Sequence, residues 1–154
     1  MTWINLLHYG LPRGNDGNMQ LTDFKHIRNF KPAEIQKDGS ILGAVSLALI
    51  VSIDDLRDAI KTPISIICVT GGDHGGDTHP RGIAVDFTTK NFIDMETMIW
   101  NMCRAGFRGI GIYKNNLGYF SYHGDVRPEP VQMWGAYKKQ PQYKWTYVNI
   151  QDII

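Results

Sequence analysis

Cysteine is scarce: Cys68 and Cys103 are the only two in 154 residues, too few for a disulfide framework. Both fall in apolar runs, Cys68 in a strand-like one and Cys103 in a helix-like one, where a free thiol is expected to act as a small buried hydrophobe. An excess of one charge is also missing. Sixteen Lys and Arg against fifteen Asp and Glu leave a formal +1, which provides no bulk attraction for nucleic acid. The one basic lean, residues 127–144 with Arg127, Lys138, Lys139 and Lys144, reads as solvated surface. Composition argues against a membrane span, and neither an internal repeat nor a linker divides the chain. The opening Met1 to Gly10 has no basic region and only a broken apolar run, so it does not read as a secretory signal, and synthesis in the cytoplasm is expected. What remains is an ordinary globular composition, 43% hydrophobic and 20% charged, in a single domain able to bury roughly 70% of its unfolded surface.

The first twenty residues, rich in Gly and Asn, read as an irregular lead-in. Across residues 45–62, Leu49, Ile53, Leu56 and Ile60 recur at helical spacing while Asp54, Asp55, Arg57 and Asp58 fill the other face. Thr62-Pro63 ends that helix, since Pro disfavours helical geometry in the residue before it. The β-branched run Ile64 to Thr70 predicts a buried strand. Five glycines follow within residues 71–82, marking a loop of the kind on which chemistry is placed. Residues 83–88 alternate, with Ile83, Val85 and Phe87 on one face and Ala84 with Asp86 on the other. Asn91 is then expected to cap a helix with Phe92, Met95, Ile99 and Met102 inward and Asp94 in its first turn, ended by Gly106. Residues 107–113 and 119–126 predict a hairpin in which Ser121, His123 and Asp125 share a face. Together these elements predict an α+β fold, a small mainly antiparallel sheet with helices covering one face.

The segment His79-Pro-Arg-Gly-Ile-Ala-Val-Asp86 puts an imidazole on the loop, a glycine where the chain turns, and a carboxylate on the next strand. His123, on a strand expected beside that of Asp86, is the candidate third ligand. Two neutral imidazoles and one carboxylate at about 2.0–2.2 Å leave a fourth tetrahedral position for water, the arrangement of catalytic rather than structural Zn2+. Asp86 in an apolar strand would be costly to bury without a cation or donors. His74 and Asp77 lie in the glycine-rich loop and read as substrate contacts, because one flexible loop supplying every ligand makes a poor cage. His8 and His26 stand outside any such pattern and read as structural or exposed. Met95, Met98 and Met102 read as core filling.

These residues carry a resemblance. His79-x-x-Gly82-x-Ala84-x-Asp86 resembles the HxxGxAxD core of the zinc D-alanyl-D-alanine carboxypeptidase and peptidoglycan metallopeptidase superfamily, which includes vancomycin-resistance dipeptidases, phage L-alanyl-D-glutamate endolysins and the hedgehog-like fold. Gly109-Ile-Gly-Ile-Tyr113 and Tyr122-His-Gly-Asp-Val-Arg-Pro128, followed by Trp134, are similar to its glycine-led hairpin, and the likeness covers about residues 24–134 in the expected order. It implies a hedgehog- or peptidase-like fold, Zn2+ on His79, Asp86 and His123, and amide hydrolysis of peptidoglycan peptides by a carboxypeptidase or endopeptidase that acts on the cell wall. A phage lysin or particle component fits that implication. A catalytically inactive metal-binding recognition module is the alternative. The chain departs from the pattern at three places. Asp77 stands where members usually have Ser, Thr70-Gly-Gly-Asp-His74 replaces a turn whose Arg grips a substrate carboxylate, and Phe120 replaces a Glu that serves as general base. Asp125 is the nearest catalytic replacement for that Glu, either as the base or as a group that orients an imidazole.

Overall fold

The computed structural model describes residues 17–71, 76–142 and 144–153. Most of the expected lead-in, His8 and the proposed substrate contact His74 lie outside those residues. Three helices, α1 (Pro32–Ile35), α2 (Leu47–Ile60) and α3 (Met95–Ala105), accompany six strands: β1 (Ile64–Cys68), β2 (Ala84–Thr89), β3 (Gly109–Lys114), β4 (Phe120–Asp125), β5 (Gln132–Tyr137) and β6 (Thr146–Val148). All six strands join one sheet in the order β1-β2-β4-β3-β5-β6. Four of its contacts are antiparallel and the β3–β5 contact is parallel, so the sheet is mixed and the fold is α+β. No helix among the described residues is long and apolar enough to cross a membrane.

The β3–β4 hairpin forms as its sequence predicts, turning through Asn115, whose side-chain oxygen accepts from the backbone N–H of Leu117 and Tyr119. β4 then lies against β2 with His123 opposite Asp86. β5 and β6, which lack a clean alternation of polar and apolar residues, extend the sheet beyond β3. A single hydrophobic cluster packs Leu49, Ile53 and Leu56 of α2 and Met98 and Met102 of α3 with Val85, Phe87, Ile110, Ile112 and Tyr122 of the sheet. The side chains between them on β2 and β4, Asp86, His123 and Asp125, emerge on the opposite face, as the period of two in a strand requires.

Two helical expectations need correction. Asp54, expected on the solvent face of α2, is fully buried. Its carboxylate accepts from the backbone N–H of Arg28 and of Asn29 at 3.0 and 2.8 Å, because the segment before α1 crosses over it and supplies the donors that a buried charge demands. Asp94 rather than Asn91 caps α3, its side chain accepting from Glu96 N and Thr97 N, while Asn91 donates to Thr62. Phe92 consequently stays outside the helix and is exposed. The three methionines do fill the core, and Gly106 ends α3 with φ 105°. Of the two thiols, Cys68 is buried but Cys103 is exposed, against the expectation that both are buried.

Candidate metal centre

Backbone geometry brings the three sequence candidates together. Residues 77–83 fold into a tight turn in which Gly82 N–H donates to His79 O and Ile83 N–H to Thr78 O. Gly82 takes φ +70°, and a Cβ there would overlap the Ala44 carbonyl, so this turn requires the glycine. His79 is thereby held at the mouth of β2, next to Asp86, while sheet register sets His123 opposite Asp86. His79 Nε2 lies 3.2 Å from both Asp86 Oδ1 and His123 Nδ1, and His123 Nδ1 lies 3.0 Å from Asp86 Oδ1. Three donor atoms on a tetrahedral cation with bonds near 2.0–2.1 Å are separated by about 3.3–3.4 Å. The triangle fits such an ion to within a few tenths of an ångström.

The outer ring nitrogens are fixed as well. His79 Nδ1 meets the Val69 carbonyl, which can only accept, so the proton resides on Nδ1 and the lone pair on Nε2 faces the triangle. His123 Nε2 lies 3.0 Å from Asp125 Oδ2, so a neutral ring donating there turns its Nδ1 lone pair inward, whereas the cation donates from Nδ1 to Asp86 as well. Backing of this kind orients ligating imidazoles and raises their basicity. Asp125 is itself fully buried and clamped by Arg127, whose Nε donates to Oδ1 at 2.7 Å. Arg127 is therefore no free surface cation, contrary to the solvated reading of residues 127–144. Its guanidinium also lies 5.7 Å from the Trp134 ring.

Electrostatics follow from these contacts. Burial opposes the charge on Asp86, but the His123 and His79 rings beside it outweigh that and hold the carboxyl well below the usual range. Burial likewise opposes ionisation of Asp125, and Arg127 and His123 overcome it. For His123, burial disfavours the cation, yet Asp125 and Asp86 together raise its pKa above the ordinary value. Each shift favours ionised carboxylates around a positive charge, which a proton on His123 or a bound cation supplies.

Asp125 does not fit the general-base role. Its carboxylate contacts the far nitrogen of His123, so the imidazole ring stands between it and the triangle, and its oxygens are taken by His123 and Arg127. Of the two roles, orientation is the one its geometry permits. Asp77, expected to touch substrate, lies in the wall of the cleft but is mostly exposed, with its carboxylate 3.6 Å from Arg81.

The triangle opens into a cleft of about 690 Å³. Its lining includes an aromatic group in which Tyr113 contacts Trp134, Trp145 and Tyr147, together with the polar Arg81, Glu129 and Thr78. Trp134 Nε1–H donates to Tyr113 Oη at 3.0 Å, and the Tyr113 and Trp145 rings meet edge to face. Gly111 makes this wall possible, because a Cβ there would sit 2.7 Å from the Trp134 ring. Trp134 was legible only by resemblance, and Trp145 and Tyr147 carried no signal because β6 is short and irregular.

Cys68 is the residue that sequence reasoning missed. With His79 and Asp86 it forms a group whose donor atoms all lie within 4.8 Å of one another, and its Sγ lies 3.4 Å from Asp86 Oδ2. Two ligand sets thus share His79 and Asp86. The His79–Asp86–His123 set has the shorter separations and both imidazoles backed by acceptors. Burial and then the Asp86 charge push the Cys68 thiol up to about 12, so without a cation it stays protonated and donates to Asp86.

Compared with protein-family models, with curated proteins and with solved structures, the chain matches none.

Proposed function

We propose that the protein is a zinc-dependent peptidase of the D-alanyl-D-alanine peptidase kind, with a hedgehog-like fold, acting on peptidoglycan peptides through His79, Asp86 and His123. The observation that carries this reading is the convergence of two imidazole lone pairs and one carboxylate oxygen at 3.0–3.2 Å. With both imidazoles neutral, such an arrangement is repulsive unless a cation occupies its centre. Three protein donors of this type, with both imidazoles backed, suit the open coordination of hydrolytic zinc sites. A zinc ion held there supplies Lewis acidity toward a carbonyl oxygen and lowers the pKa of a water molecule.

The chain's own residues have separable tasks. His79 and His123 present neutral nitrogens, Asp125 and Arg127 keep His123 in its tautomer, and the aromatic wall accepts apolar parts of a peptide beside the triangle. Both guanidinium groups lining the cleft already face carboxylates, Arg127 on Asp125 and Arg81 within 3.6 and 3.9 Å of Asp77 and Glu129. A free C-terminal carboxylate therefore gains little there, and an internal peptide bond is the better substrate. The sequence resemblance supplies the substrate class: stem or cross-link peptides of the bacterial wall.

The second reading, an inactive metal-binding recognition module, is favoured by Cys68. Were its sulfur a fourth ligand, the coordination would be closed, as in structural sites. Incubation with purified peptidoglycan, with and without chelator, tests the proposal. New amine termini that appear only when metal is present support the enzyme. Their absence with zinc bound supports the module.

A further inference from the structure

The sheet carries an irregularity at one place that bears on the site. β1 runs against β2 with Ile64 opposite Thr89, Ser65 opposite Thr88 and Ile66 opposite Phe87, and continued regularly this register would put Ile67 opposite Asp86. Instead the register shifts between Ile66 and Cys68, and Cys68 stands opposite Asp86. A bulge of this kind adds one residue to one strand and re-aims the side chains beyond it. Its effect here is specific: Ile67 is left exposed, while Cys68 is buried and directed at Asp86 Oδ2. The two oxygens of Asp86 consequently have different neighbours. Oδ1 faces His79 Nε2 and His123 Nδ1, and Oδ2 faces the thiol.

We infer that Cys68 is a positioning residue for the metal centre, holding Asp86 Oδ2 so that Asp86 offers one oxygen to the cation and the fourth coordination position stays open to substrate. This rests on the metal reading given above and deepens it. Two alternatives for the sulfur have opposite consequences. As a donor to Asp86 it stabilises a one-oxygen ligand and leaves three protein donors; as a ligand it would complete a closed set of four. Geometry favours the first, since Sγ lies 3.4 Å from Asp86 Oδ2 while the two imidazole nitrogens face Oδ1. Carboxylates that ligate metals are commonly held by such outer hydrogen bonds.

The test compares the wild type, Cys68→Ser and Cys68→Ala by zinc titration of metal-free protein and by absorption of the Co2+-loaded forms. In the wild type, Co2+ is expected to give ligand-field bands without a strong near-ultraviolet sulfur-to-metal charge-transfer band. A strong charge-transfer band that Cys68→Ala removes would make Cys68 a ligand and overturn the inference. Cys68→Ala should weaken zinc binding by about 10–100-fold, the usual cost of losing a group that orients a ligand. Cys68→Ser retains an O–H donor and should recover most of that loss. Wild-type affinity in Cys68→Ala overturns the inference. So does a serine variant as weak as the alanine variant, since the donor would then be irrelevant. Melting temperatures of the metal-free proteins show whether either variant is simply unfolded; if Cys68→Ala does not fold, the serine variant and the wild-type Co2+ spectrum still decide. Failure of the wild type to bind zinc at all would remove the metal reading itself. Loss of the Cys68 role alone leaves wild-type binding intact.

Discussion

The two faces of β2, β3 and β4 are made from alternate residues of the same strands and obey different rules. On one face Val85, Phe87, Ile110, Ile112 and Tyr122 are buried against α2 and α3, and what matters is volume and apolarity. On the other, Asp86, His123 and Asp125 meet two glycines, Gly109 opposite Asp125 and Gly111 opposite His123, and what matters is which atom faces which. The first face stabilises the strands; the second uses their rigidity to hold charges and lone pairs that would otherwise separate. A site built this way is precise because its scaffold is stabilised elsewhere.

The comparison breaks most visibly at Phe87. Truncation to Ala in this fully buried position should cost about 3–5 kcal/mol of unfolding free energy, read as a lower urea midpoint, while the folded fraction keeps its zinc stoichiometry. The pair His79→Ala with His123→Ala should do the reverse. Zinc should no longer be retained after dialysis, by metal analysis, while the metal-free protein melts closer to the wild type than Phe87→Ala does. Undiminished zinc in that double variant would place the ligands elsewhere.

Gly111 tests whether the two faces are independent. Its strand neighbours Ile110 and Ile112 belong to the core, yet its missing side chain makes room for Trp134 on the cleft side. Gly111→Ala brings a methyl within 2.7 Å of the Trp134 ring and 2.8 Å of Tyr113. Overpacking of this sort costs about 1–3 kcal/mol, and the displaced indole should change the tryptophan fluorescence. An unchanged spectrum with an unchanged midpoint would mean that the wall yields freely.

These contrasts explain what could be read from the sequence. The core face repeats: alternation marks β2, the Asn- and Gly-rich loop at 114–118 marks the β3–β4 hairpin, and the helical period of α2 marks Leu49, Ile53 and Leu56, three of its nine buried residues. Asp54 was misjudged because its partners, the N–H groups of Arg28 and Asn29, lie 25–26 residues away, beyond any local period. The site was legible in part. His79, Asp86 and His123 stood out as polar residues in patterned segments, and their proximity followed once β4 was placed beside β2. The role of Asp125 depended on which side of His123 it occupies, which spacing alone leaves open. Cys68 was invisible for a sharper reason: its alternation assigns it to the core face with Ile64 and Ile66, and only the bulge after Ile66 turns it toward Asp86.

The smallest expected effect concerns the link between the two regions, at Asp38. Its Oδ2 accepts from Val69 N and Gly71 N at 2.6 and 2.9 Å, and its Oδ1 from Ser40 N at 3.0 Å. Val69 O in turn receives His79 Nδ1, so a carboxylate outside the cleft fixes the carbonyl that fixes a ligand. Burial opposes the charge on Asp38, but the Ser40 hydroxyl and the three backbone donors hold its pKa below 3.8. A depressed folded-state value means that the unfolded chain takes up the proton first. The contribution is therefore complete above pH 3.8 and fades as pH falls through the folded value. Other carboxylates titrate in the same window, Asp86 and Asp125 among them, so the informative quantity is a difference. The gap in unfolding free energy between wild type and Asp38→Asn should be constant from about pH 7 to 5 and narrow below about 4. A gap that persists unchanged to pH 3 would mean that the carboxyl's hydrogen bonds, rather than its charge, hold the Val69–Gly71 segment in place.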